Sequence, residues 1–353
     1  MLLGVLLMAL VGCASAQERK VSDHFDGKRF FNPTLVGKFQ PGFFDVLKIM
    51  SESRAKWPDK VENQGTPRLN EELAQDDIAI TFVNHATFLI QTPELNILTD
   101  PIWSERASPV SWAGPKRVRP PGVKFEELPK IDLVVISHNH YDHLDVETLK
   151  RLNERFAPKV LVPIGDKELV ESIGIKDVTE LDWWDSIEIS PDVQITFAPT
   201  QHWSSRGLFD KYKSLWGSYF IQLGNRSVYF GGDSGYSSHY VEIKKRLGSP
   251  EIALLGIGAY APRWFMQPMH MNPAEAVQAH QDLGAKLSIG MHFGTFQMSA
   301  EAIDQPKIDL KEALKEANLS PEIFITLNEG ETRIFKAKQR DEAIPKQRRA
   351  AKD

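Results

Sequence analysis

The sequence predicts an α/β protein in which two β-sheets pack face to face with helices on the outside. Two observations lead to this prediction. Apolar, β-branched runs come in pairs, at residues 78–91 and on either side of Gly224-Asn225, a two-residue hairpin signal. Other runs alternate with segments of helical spacing, which is typical of layered folds that cover their sheets with helices.

The apolar runs predict strands along most of the chain. In order they are 78–91 (a strand, a turn and a strand), 96–99, 131–137, 159–165, 193–199, 217–223, 227–233, 252–258 and 286–292. One helix is predicted from Leu149, Leu152 and Phe156, which share a face. A second helix has a complete set of end signals, which are Asn272 as cap, Pro273 as first residue, Glu275 as capping-box partner and Gly284 as stop.

Composition limits the chemistry. The 353 residues are 42% hydrophobic and carry a formal net charge of −5, which does not favour binding to nucleic acid. An anionic substrate stays open, because metal ions can reverse the local field. Cys13 is the single cysteine, so the chain forms no internal disulfide and any metal must be held by histidines and carboxylates.

The first 16 residues predict a signal peptide, since residues 1–12 form an apolar run too short to span a bilayer. Leu10-Val11-Gly12-Cys13 resembles a bacterial lipobox, in which the cysteine is lipidated. Ordinary cleavage after Ala16 is the alternative. We expect export in a bacterium and a membrane-anchored lipoprotein, in the outer membrane or periplasm, that meets the membrane surface through its lipid anchor.

Residues 17–76 predict an arm and linker, residues 77–335 the main domain, and residues 336–353 a charged, disordered tail. The arm is rich in aromatic residues, namely Phe25, Phe30, Phe31, Phe39, Phe43 and Phe44. Two interpretations stay open: an arm wrapped on the domain, which we favour, or an apolar patch that touches lipid.

The strongest chemical signal is Ser137-His138-Asn139-His140-Tyr141-Asp142-His143, which follows a predicted buried strand. Alternate side chains of an extended chain point the same way, so His138 and His140 can bind one ion together. Asp142 and His143 lie where the chain turns into a helix and can point to a second ion. Imidazole and carboxylate ligands suit zinc.

Three further residues stand in the same context, each at the carboxyl end of an apolar strand. They are His202, Asp233 and His292. The set then holds five histidines and two aspartates, about what two metals sharing a carboxylate require.

This pattern, HxHxDH followed by a distant His, Asp and His, resembles the metallo-β-lactamase superfamily. The resemblance implies an αββα sandwich, two packed mixed sheets with helices outside. It also implies two Zn²⁺ per chain, the first bound by His138, His140 and His202, the second by Asp142, His143 and His292, with Asp233 bridging both.

A closer resemblance covers roughly residues 78–335. LTDPIWSERASP, ELPKIDLVVISHNHYDHLD, TQHWSSRG, GAYAPRWFMQPMHMNPAEAV and HFGTF are similar to N-acylphosphatidylethanolamine-hydrolysing phospholipases D and bacterial RomA-like outer-membrane proteins. It implies a phosphodiesterase that cleaves such a phospholipid, or another phosphodiester, to N-acylethanolamine and phosphatidic acid. A homodimer is compatible with this interpretation.

We predict Asp142 and His270 as catalytic residues. The resemblance places His270 near the substrate phosphate, where helix amides following Asn272-Pro273 are expected to be free to face an anion. A capping or core role is the alternative. His85 is expected to be structural, with support of a metal ligand as the alternative. Arg117 and Arg119 could meet a phosphate or simply be solvated.

The tryptophans are expected mostly in the core, while a few could line an acyl pocket. They are Trp183, Trp184, Trp203, Trp216 and Trp264.

Three rival functions remain. One is a different hydrolase on this fold, such as a lactonase, another phosphodiesterase or a β-lactamase. Another is a diiron oxidoreductase, which is disfavoured because such proteins carry Glu where Asn139 stands. The last is a non-catalytic zinc-binding surface lipoprotein.

Overall fold

The computed structural model describes residues 20–35, 39 and 42–337. The predicted signal peptide with Cys13, and residues 338–353 of the predicted tail, lie outside the described residues.

The described part of the chain contains fourteen strands. They are β1 (Ile78–Asn84), β2 (Thr87–Gln91), β3 (Asn96–Thr99), β4 (Leu133–Val135), β5 (Lys159–Pro163), β6 (Val178–Leu181), β7 (Ser186–Ser190), β8 (Val193–Ala198), β9 (Ser218–Leu223), β10 (Arg226–Phe230), β11 (Ile252–Gly256), β12 (Leu287–Met291), β13 (Phe324–Ile325) and β14 (Thr332–Phe335).

Seven α-helices and one short 3₁₀-helix, Phe125–Glu127, accompany the strands in the same part of the chain. The α-helices are α1 (Phe43–Ser51), α2 (Val146–Phe156), α3 (Lys167–Ser172), α4 (His239–Leu247), α5 (Arg263–Met266), α6 (Pro273–Leu283) and α7 (Gln305–Glu316).

The strands form two mixed sheets of the same design. The first has the order β14-β1-β2-β3-β4-β5-β6 and the second the order β13-β12-β11-β10-β9-β8-β7. In the first sheet the pairings from β14 to β3 are antiparallel and those from β3 to β6 are parallel. The second sheet repeats this division, antiparallel from β7 to β10 and parallel from β10 to β13. The predicted αββα sandwich is confirmed.

Alternation along the strands builds two cores. Ile78, Ile80 and Phe82 of β1 belong to the core between the sheets, whereas Val83 joins a second core that includes Leu149 of α2. Successive side chains of a strand point to opposite faces, so a strand that is apolar throughout has both faces covered. All seven residues of β1 are buried, as such a strand requires.

Helix α6 forms with the ends that its sequence specifies. The Asn272 side chain accepts from the Glu275 amide at 2.8 Å, and the Glu275 carboxylate accepts from the Asn272 amide at 3.0 Å. Pro273 is the first helical residue, and Gly284 closes the helix at φ 64°, a left-handed conformation that costs glycine little.

Several elements carry no strong sequence signal. Strands β6 and β7 lie at sheet edges, and most of their residues are only half-buried or exposed, which leaves no apolar run. Strand β14 pairs with β1 across some 250 residues of chain, for which no local pattern exists. Strand β4 is shorter than the predicted 131–137, because Ser137 already bonds to Asp100 outside the sheet.

Different parts of the aromatic arm differ in burial. Phe25 and Phe30 are buried in the main core, and the Phe30 amide donates to the Tyr212 carbonyl at 2.8 Å. Phe44 on α1 is 82% exposed. Within the described residues, no helix is both long enough and apolar enough to cross a bilayer.

Candidate metal centre

Three histidines converge on one point at the carboxyl end of the sheets. His138 and His140 lie in the loop between β4 and α2, and His202 follows β8. The His138 Nε2 and His140 Nδ1 atoms are 2.8 Å apart, and His140 Nδ1 is 3.3 Å from His202 Nε2. We call these three residues the first half-site.

A second group lies beside them, formed by Asp142, His143 and His292. The His143 Nε2 and His292 Nε2 atoms are 3.3 Å apart, and they lie 3.3 and 3.4 Å from Asp142 Oδ2. His292 directly follows β12 and adopts φ 64°. We call these residues the second half-site.

Asp233 stands between the two half-sites. Its Oδ2 atom is 3.2 Å from both His143 Nε2 and His292 Nε2, 3.7 Å from His202 Nε2 and 3.9 Å from His138 Nε2. All seven residues predicted as metal ligands therefore meet in one buried cluster.

The end of β10 reaches the cluster through glycine. Gly232 has φ 54°, and a Cβ built there would lie 2.6 Å from the Ser137 Cβ. Only glycine therefore allows the chain that carries Asp233 to approach the loop of the first half-site so closely.

The donor atoms fit metal ions. Buried polar groups ordinarily have hydrogen-bond partners, yet Asp233 Oδ1 is buried with no hydrogen-bond partner among the described residues. Imidazole nitrogens and carboxylate oxygens that face one another at 2.8–3.9 Å form a donor set suited to zinc and similar divalent metals. The His/Asp cluster can bind metal ions.

Two residues outside the predicted ligand set support the second half-site. The Asp100 carboxylate accepts from the Ser137 amide at 2.7 Å, and its Oδ2 atom is 2.6 Å from His143 Nδ1. His85 Nε2 is 2.9 Å from Asp142 Oδ2. Such contacts orient metal ligands, so His85 has the supporting position that was the alternative interpretation. Asp100 was missed, although it follows β3 at the same edge of the sheet.

The pKa values of the imidazoles differ between the half-sites. Burial lowers the pKa of His140 to about 4 and that of His138 and His202 well below the ordinary value. Burial also acts on His292, but the carboxylates of Asp233 and Asp142 outweigh it and raise its pKa to about 9. The carboxylates thus make the second half-site more negative than the first.

His270 lies against the cluster but outside the ligand set. Its Nδ1 atom is 3.9 Å from Asp233 Oδ2, and its ring centroid is 5.1 Å from that of His202. Burial lowers its pKa to about 4, so the ring is neutral at pH 7.

The expected anion site at the start of α6 is not formed. The amides of Asn272 and Glu275 are taken up by the capping box, Pro273 has no amide hydrogen, and the Glu275 carboxylate itself occupies the terminus. That carboxylate also pairs with Arg263 at 2.6 Å. An anion would meet negative charge there rather than free donors.

Neither candidate arginine faces the cluster freely. The Arg117 guanidinium donates to the carbonyls of Ser104, Arg119 and Ile102 and so braces a loop. Arg119 lies 3.4 Å from the buried carboxylate of Glu329. Both arginines are structural, which neither of the two interpretations considered for them had anticipated.

The tryptophans divide as expected. Trp216 is fully buried, and Trp183 and Trp184 pack against the core. Trp264 is 41% exposed. Trp203 lies beside the first half-site, with its ring centroid 4.4 Å from that of His140.

A cavity of about 710 Å³ lies at the opposite end of the sandwich. It is lined by the start of β1, the β2–β3 turn and the β9–β10 turn, far from the carboxyl ends of β4, β8, β10 and β12. None of its lining residues belongs to the metal cluster.

The chain was compared with known families and proteins. The family model described as "Beta-lactamase superfamily domain" matches residues 95–293. N-acyl-phosphatidylethanolamine-hydrolyzing phospholipase D 1 of Caenorhabditis elegans is 37% identical over 339 residues, which cover 89% of this chain and 94% of the worm protein.

Two further likenesses are more limited. The mitochondrial N-acyl-phosphatidylethanolamine-hydrolyzing phospholipase D of Saccharomyces cerevisiae is 39% identical over 223 residues, 62% of this chain but only 47% of the yeast protein. The solved structure of a metallo hydrolase from the archaeon Ignicoccus hospitalis matches 74% of this chain and 100% of its own, with a TM-score of 0.57 and 22% identity. At that identity the likeness concerns the fold.

Proposed function

We propose that this chain, which belongs to the metallo-β-lactamase superfamily and is a metal-dependent hydrolase, is a zinc phosphodiesterase of the phospholipase D type. Its substrate is an N-acylphosphatidylethanolamine-like lipid, and its products are N-acylethanolamine and phosphatidic acid. The observation that carries the proposal is the position of Asp233 Oδ2, within 3.9 Å of imidazole nitrogens from both half-sites.

Two zinc ions are the metals that this donor set favours. The first half-site would hold one ion and the second half-site the other. Asp233 Oδ2 lies within 3.9 Å of imidazoles from both and would be available to each ion. When bound, zinc provides Lewis acidity and a nucleophile derived from water at neutral pH.

The chain's own residues then orient the reaction. Water provides the oxygen that bonds to phosphorus, the bond from phosphorus to the ethanolamine oxygen breaks, and that oxygen takes up, in net terms, the proton that the water loses. His270 lies next to the cluster, and its lowered pKa favours a neutral ring that donates a hydrogen bond to a phosphate oxygen over a charged acid.

The worm relative supports a phosphodiester substrate. Its name describes hydrolysis of N-acyl-phosphatidylethanolamine, and its likeness to this chain extends over nearly the full length of both proteins. A set of contacts beside the first half-site supports an anionic substrate with apolar chains. The Lys211 ammonium lies 4.6 Å from the ring centroid of Trp203, which in turn packs against His140.

Large apolar side chains are exposed on α1, on α5 and in the loop before Lys211, and we call this group the apolar rim. We define it as the exposed side chains of Phe44, Leu47, Leu208, Phe209 and Trp264. Scattered exposed apolar residues need no explanation, but a contiguous group is typical of contact with a membrane or another protein.

Contacts join the rim to the site. Lys48 of α1 lies 3.9 Å above the Trp264 ring, and the neighbouring Phe265 packs against Phe39. The Phe39 carbonyl accepts from Lys211 at 3.1 Å, two residues after Phe209. This continuity supports access from a lipid surface.

A lipid hydrolysis assay read by mass spectrometry tests the proposal. The metal-loaded protein should convert N-acylphosphatidylethanolamine to N-acylethanolamine and phosphatidic acid, and a chelator should stop the reaction. In ¹⁸O-labelled water the label should enter phosphatidic acid alone, because water attacks phosphorus. Label in the alcohol, or hydrolysis of lactones or β-lactams instead of the lipid, would contradict the proposal.

The rim has its own test. Replacing Leu208 and Phe209 by Ser should slow hydrolysis of lipid in vesicles but not of a soluble phosphodiester dye. A matched control replaces Val241 of α4 and Ile308 of α7, which are exposed outside the second sheet. Equal loss with both substrates would indicate damage to the site and contradict the role of the rim.

We also propose that the protein is exported and anchored through a lipidated Cys13, which brings the rim to its substrate. The lipobox-like sequence before Cys13 supports this. Intact-mass measurement of the mature protein should find diacylglyceryl-modified Cys13 as the first residue, and cleavage after Ala16 would contradict the anchor.

A further inference from the structure

We propose that Asn32, in the N-terminal arm, is a positioning residue for the metal ligand His202. Binding of the ion at the first half-site would then depend on the arm. The inference rests on the proposed function, in that it assumes the first half-site to hold one of two ions. Asn32 lies far outside residues 95–293, which match the family model.

The Asn32 side chain clamps the peptide of His202. Its Nδ2 atom donates to the His202 carbonyl at 2.8 Å, and its Oδ1 atom accepts from the His202 amide at 3.2 Å. Asn32 is 8% exposed and His202 fully buried, so water does not compete with these bonds. One side chain therefore satisfies both backbone groups of a metal ligand.

His202 needs such support more than the other distant ligands do. It lies four residues beyond the end of β8, in a stretch without helix or strand. His292, by contrast, directly follows β12, and its amide donates to the His85 carbonyl at 2.7 Å. The position of His292 is therefore set by the sheet, whereas His202 depends on an isolated bridge at the preceding residue, Gln201, and on a side chain from the arm.

The clamp is itself held in place. The Trp216 indole Nε1 donates to Asn32 Oδ1 at 3.2 Å, and Trp216 is fully buried in the core. Two residues further along the arm, the Thr34 hydroxyl donates to the Gln201 side chain at 2.8 Å. The arm thus contacts the chain at His202 and at the residue before it.

A separate contact orients the ring of His202. Its Nδ1 atom is 3.0 Å from the Met269 carbonyl, which leaves Nε2 facing His140 and Asp233. The Met269 contact fixes the rotation of the ring, and the Asn32 clamp fixes the backbone from which the ring projects. Loss of the clamp would move Nε2 relative to its partners while the second half-site stays intact.

Cobalt titration of the full chain tests the inference. Apo protein is titrated with Co²⁺, and binding is followed by visible absorption and equilibrium dialysis. The wild type should bind two equivalents. The Asn32→Ala variant should bind one ion as before and the other about 10–100-fold more weakly, the effect expected for loss of a group that supports a metal ligand.

A matched control separates positioning from general stability. His24 anchors the same arm through Asp182 at 2.8 Å and a stack on Trp183, but it does not touch His202. His24→Ala should lower the melting temperature and still bind two Co²⁺ with wild-type affinity. If Asn32→Ala does not fold, Asn32→Asp, which keeps the acceptor but loses the donor, should show the selective weakening instead.

The outcomes are distinguishable. If the wild type binds two Co²⁺ and Asn32→Ala binds both with unchanged affinity, the inference is wrong and the proposed function is untouched. Equal weakening of both ions would also overturn it. Two bound ions in a wild type that hydrolyses no phosphodiester would reject the proposed function while the titration still decides the role of Asn32. A wild type that binds no cobalt would overturn both.

Discussion

The two half-sites of the cluster hold their ligands in different ways. In the second half-site a ligand contacts a further carboxylate, since Asp100 Oδ2 lies 2.6 Å from His143 Nδ1. In the first half-site the groups that contact the imidazoles from behind are neutral, and the Asp100 carboxylate is reached only through the Ser137 hydroxyl. His138 Nδ1 lies 2.9 Å from the Ser137 hydroxyl, and His202 contacts the Met269 carbonyl and Asn32.

This difference implies that the two half-sites would bind a metal ion by different means. A buried carboxylate beside a ligating imidazole raises its basicity and brings negative charge toward the ion. The second half-site, with Asp142 as a ligand and Asp100 behind it, should therefore bind a cation more tightly. The first half-site has no carboxylate of its own in direct contact with its imidazoles. Its affinity for a metal ion would therefore depend on accurate placement of the three rings.

Asp233 belongs to both half-sites, so its replacement should have the largest effect. Asp233→Asn removes the shared negative charge while keeping the shape, and turnover should fall to the background rate with loss of both metals. His140→Ala should also abolish hydrolysis but leave one metal bound. Elemental analysis and activity measured on the same preparations decide this. A normal metal content in Asp233→Asn would show that the half-sites do not share this carboxylate.

His270→Ala should come next, with a fall in kcat of about 10²–10³-fold, the range for loss of one hydrogen-bond donor to the charge that develops on the substrate. Metal content should stay at the wild-type value, because His270 contacts Asp233 only at 3.9 Å. Turnover, melting temperature and metal content are measured together. A normal kcat with a lowered melting temperature would indicate that the ring only packs against its neighbours.

Much of the fold could be predicted because its signals are local. The strand pairs, the hairpin at Gly224-Asn225 and the capped helix α6 are each specified within a few residues, and each is found. The edge strands β6 and β7 could not be predicted, since strands with little buried surface need few apolar residues. Strand β14 depends on pairing with a distant part of the chain.

The residues of the site also divide into those with a local sequence signal and those without one. The seven residues predicted as ligands could be placed together because each follows an apolar strand, and such ends meet at one edge of a sheet. Asn32 could not be found in this way, because nothing near it in the sequence suggests a contact with His202 across 170 residues. The anion site expected at the start of α6 fails for a local reason, since the side chains of Asn272 and Glu275 accept from each other's amides and so cap the helix.

Asp100→Asn tests whether the second half-site binds its ion more tightly than the first. The variant keeps an oxygen near His143 but removes the charge, and we expect metal affinity or activity to fall about 10–100-fold. The loss should fall on the more tightly bound ion, which a competition with chelators of graded affinity measures. Asp177→Asn, which removes an exposed carboxylate paired with Lys159, is the control. Weakening of the other ion instead would reverse our assignment of the tighter half-site.

The last effect is on the stability of the fold rather than on metal binding, and it concerns a buried carboxylate one step behind the first half-site. Asp166 Oδ1 accepts from the Asn139 side chain at 2.8 Å, and Asn139 lies between His138 and His140. Burial raises the pKa of Asp166 to about 7, although Arg206 nearby opposes this. Here the first half-site does have an acidic neighbour, but one that is separated from the ligands and largely protonated below pH 7.

The sign of the resulting pH dependence follows from the two pKa values. Below about pH 4 the carboxyl is protonated in both the folded and the unfolded chain. Between pH 4 and 7 the unfolded chain loses this proton while the folded chain keeps it, so the free energy of unfolding falls as pH rises, by at most about 1.4 kcal/mol per pH unit. Above pH 7 both forms are ionised and the loss is complete.

Asp166→Asn removes this titration and keeps an oxygen to accept from Asn139. The variant should match the wild type near pH 4 and exceed it in free energy of unfolding at pH 8, with metal content unchanged. Urea unfolding of both proteins between pH 4 and 8 measures the difference. A difference that does not grow with pH would show that Asp166 is ionised throughout. The ionised Asp166 carboxylate would then add negative charge near the first half-site. The two half-sites would differ less in charge than we infer.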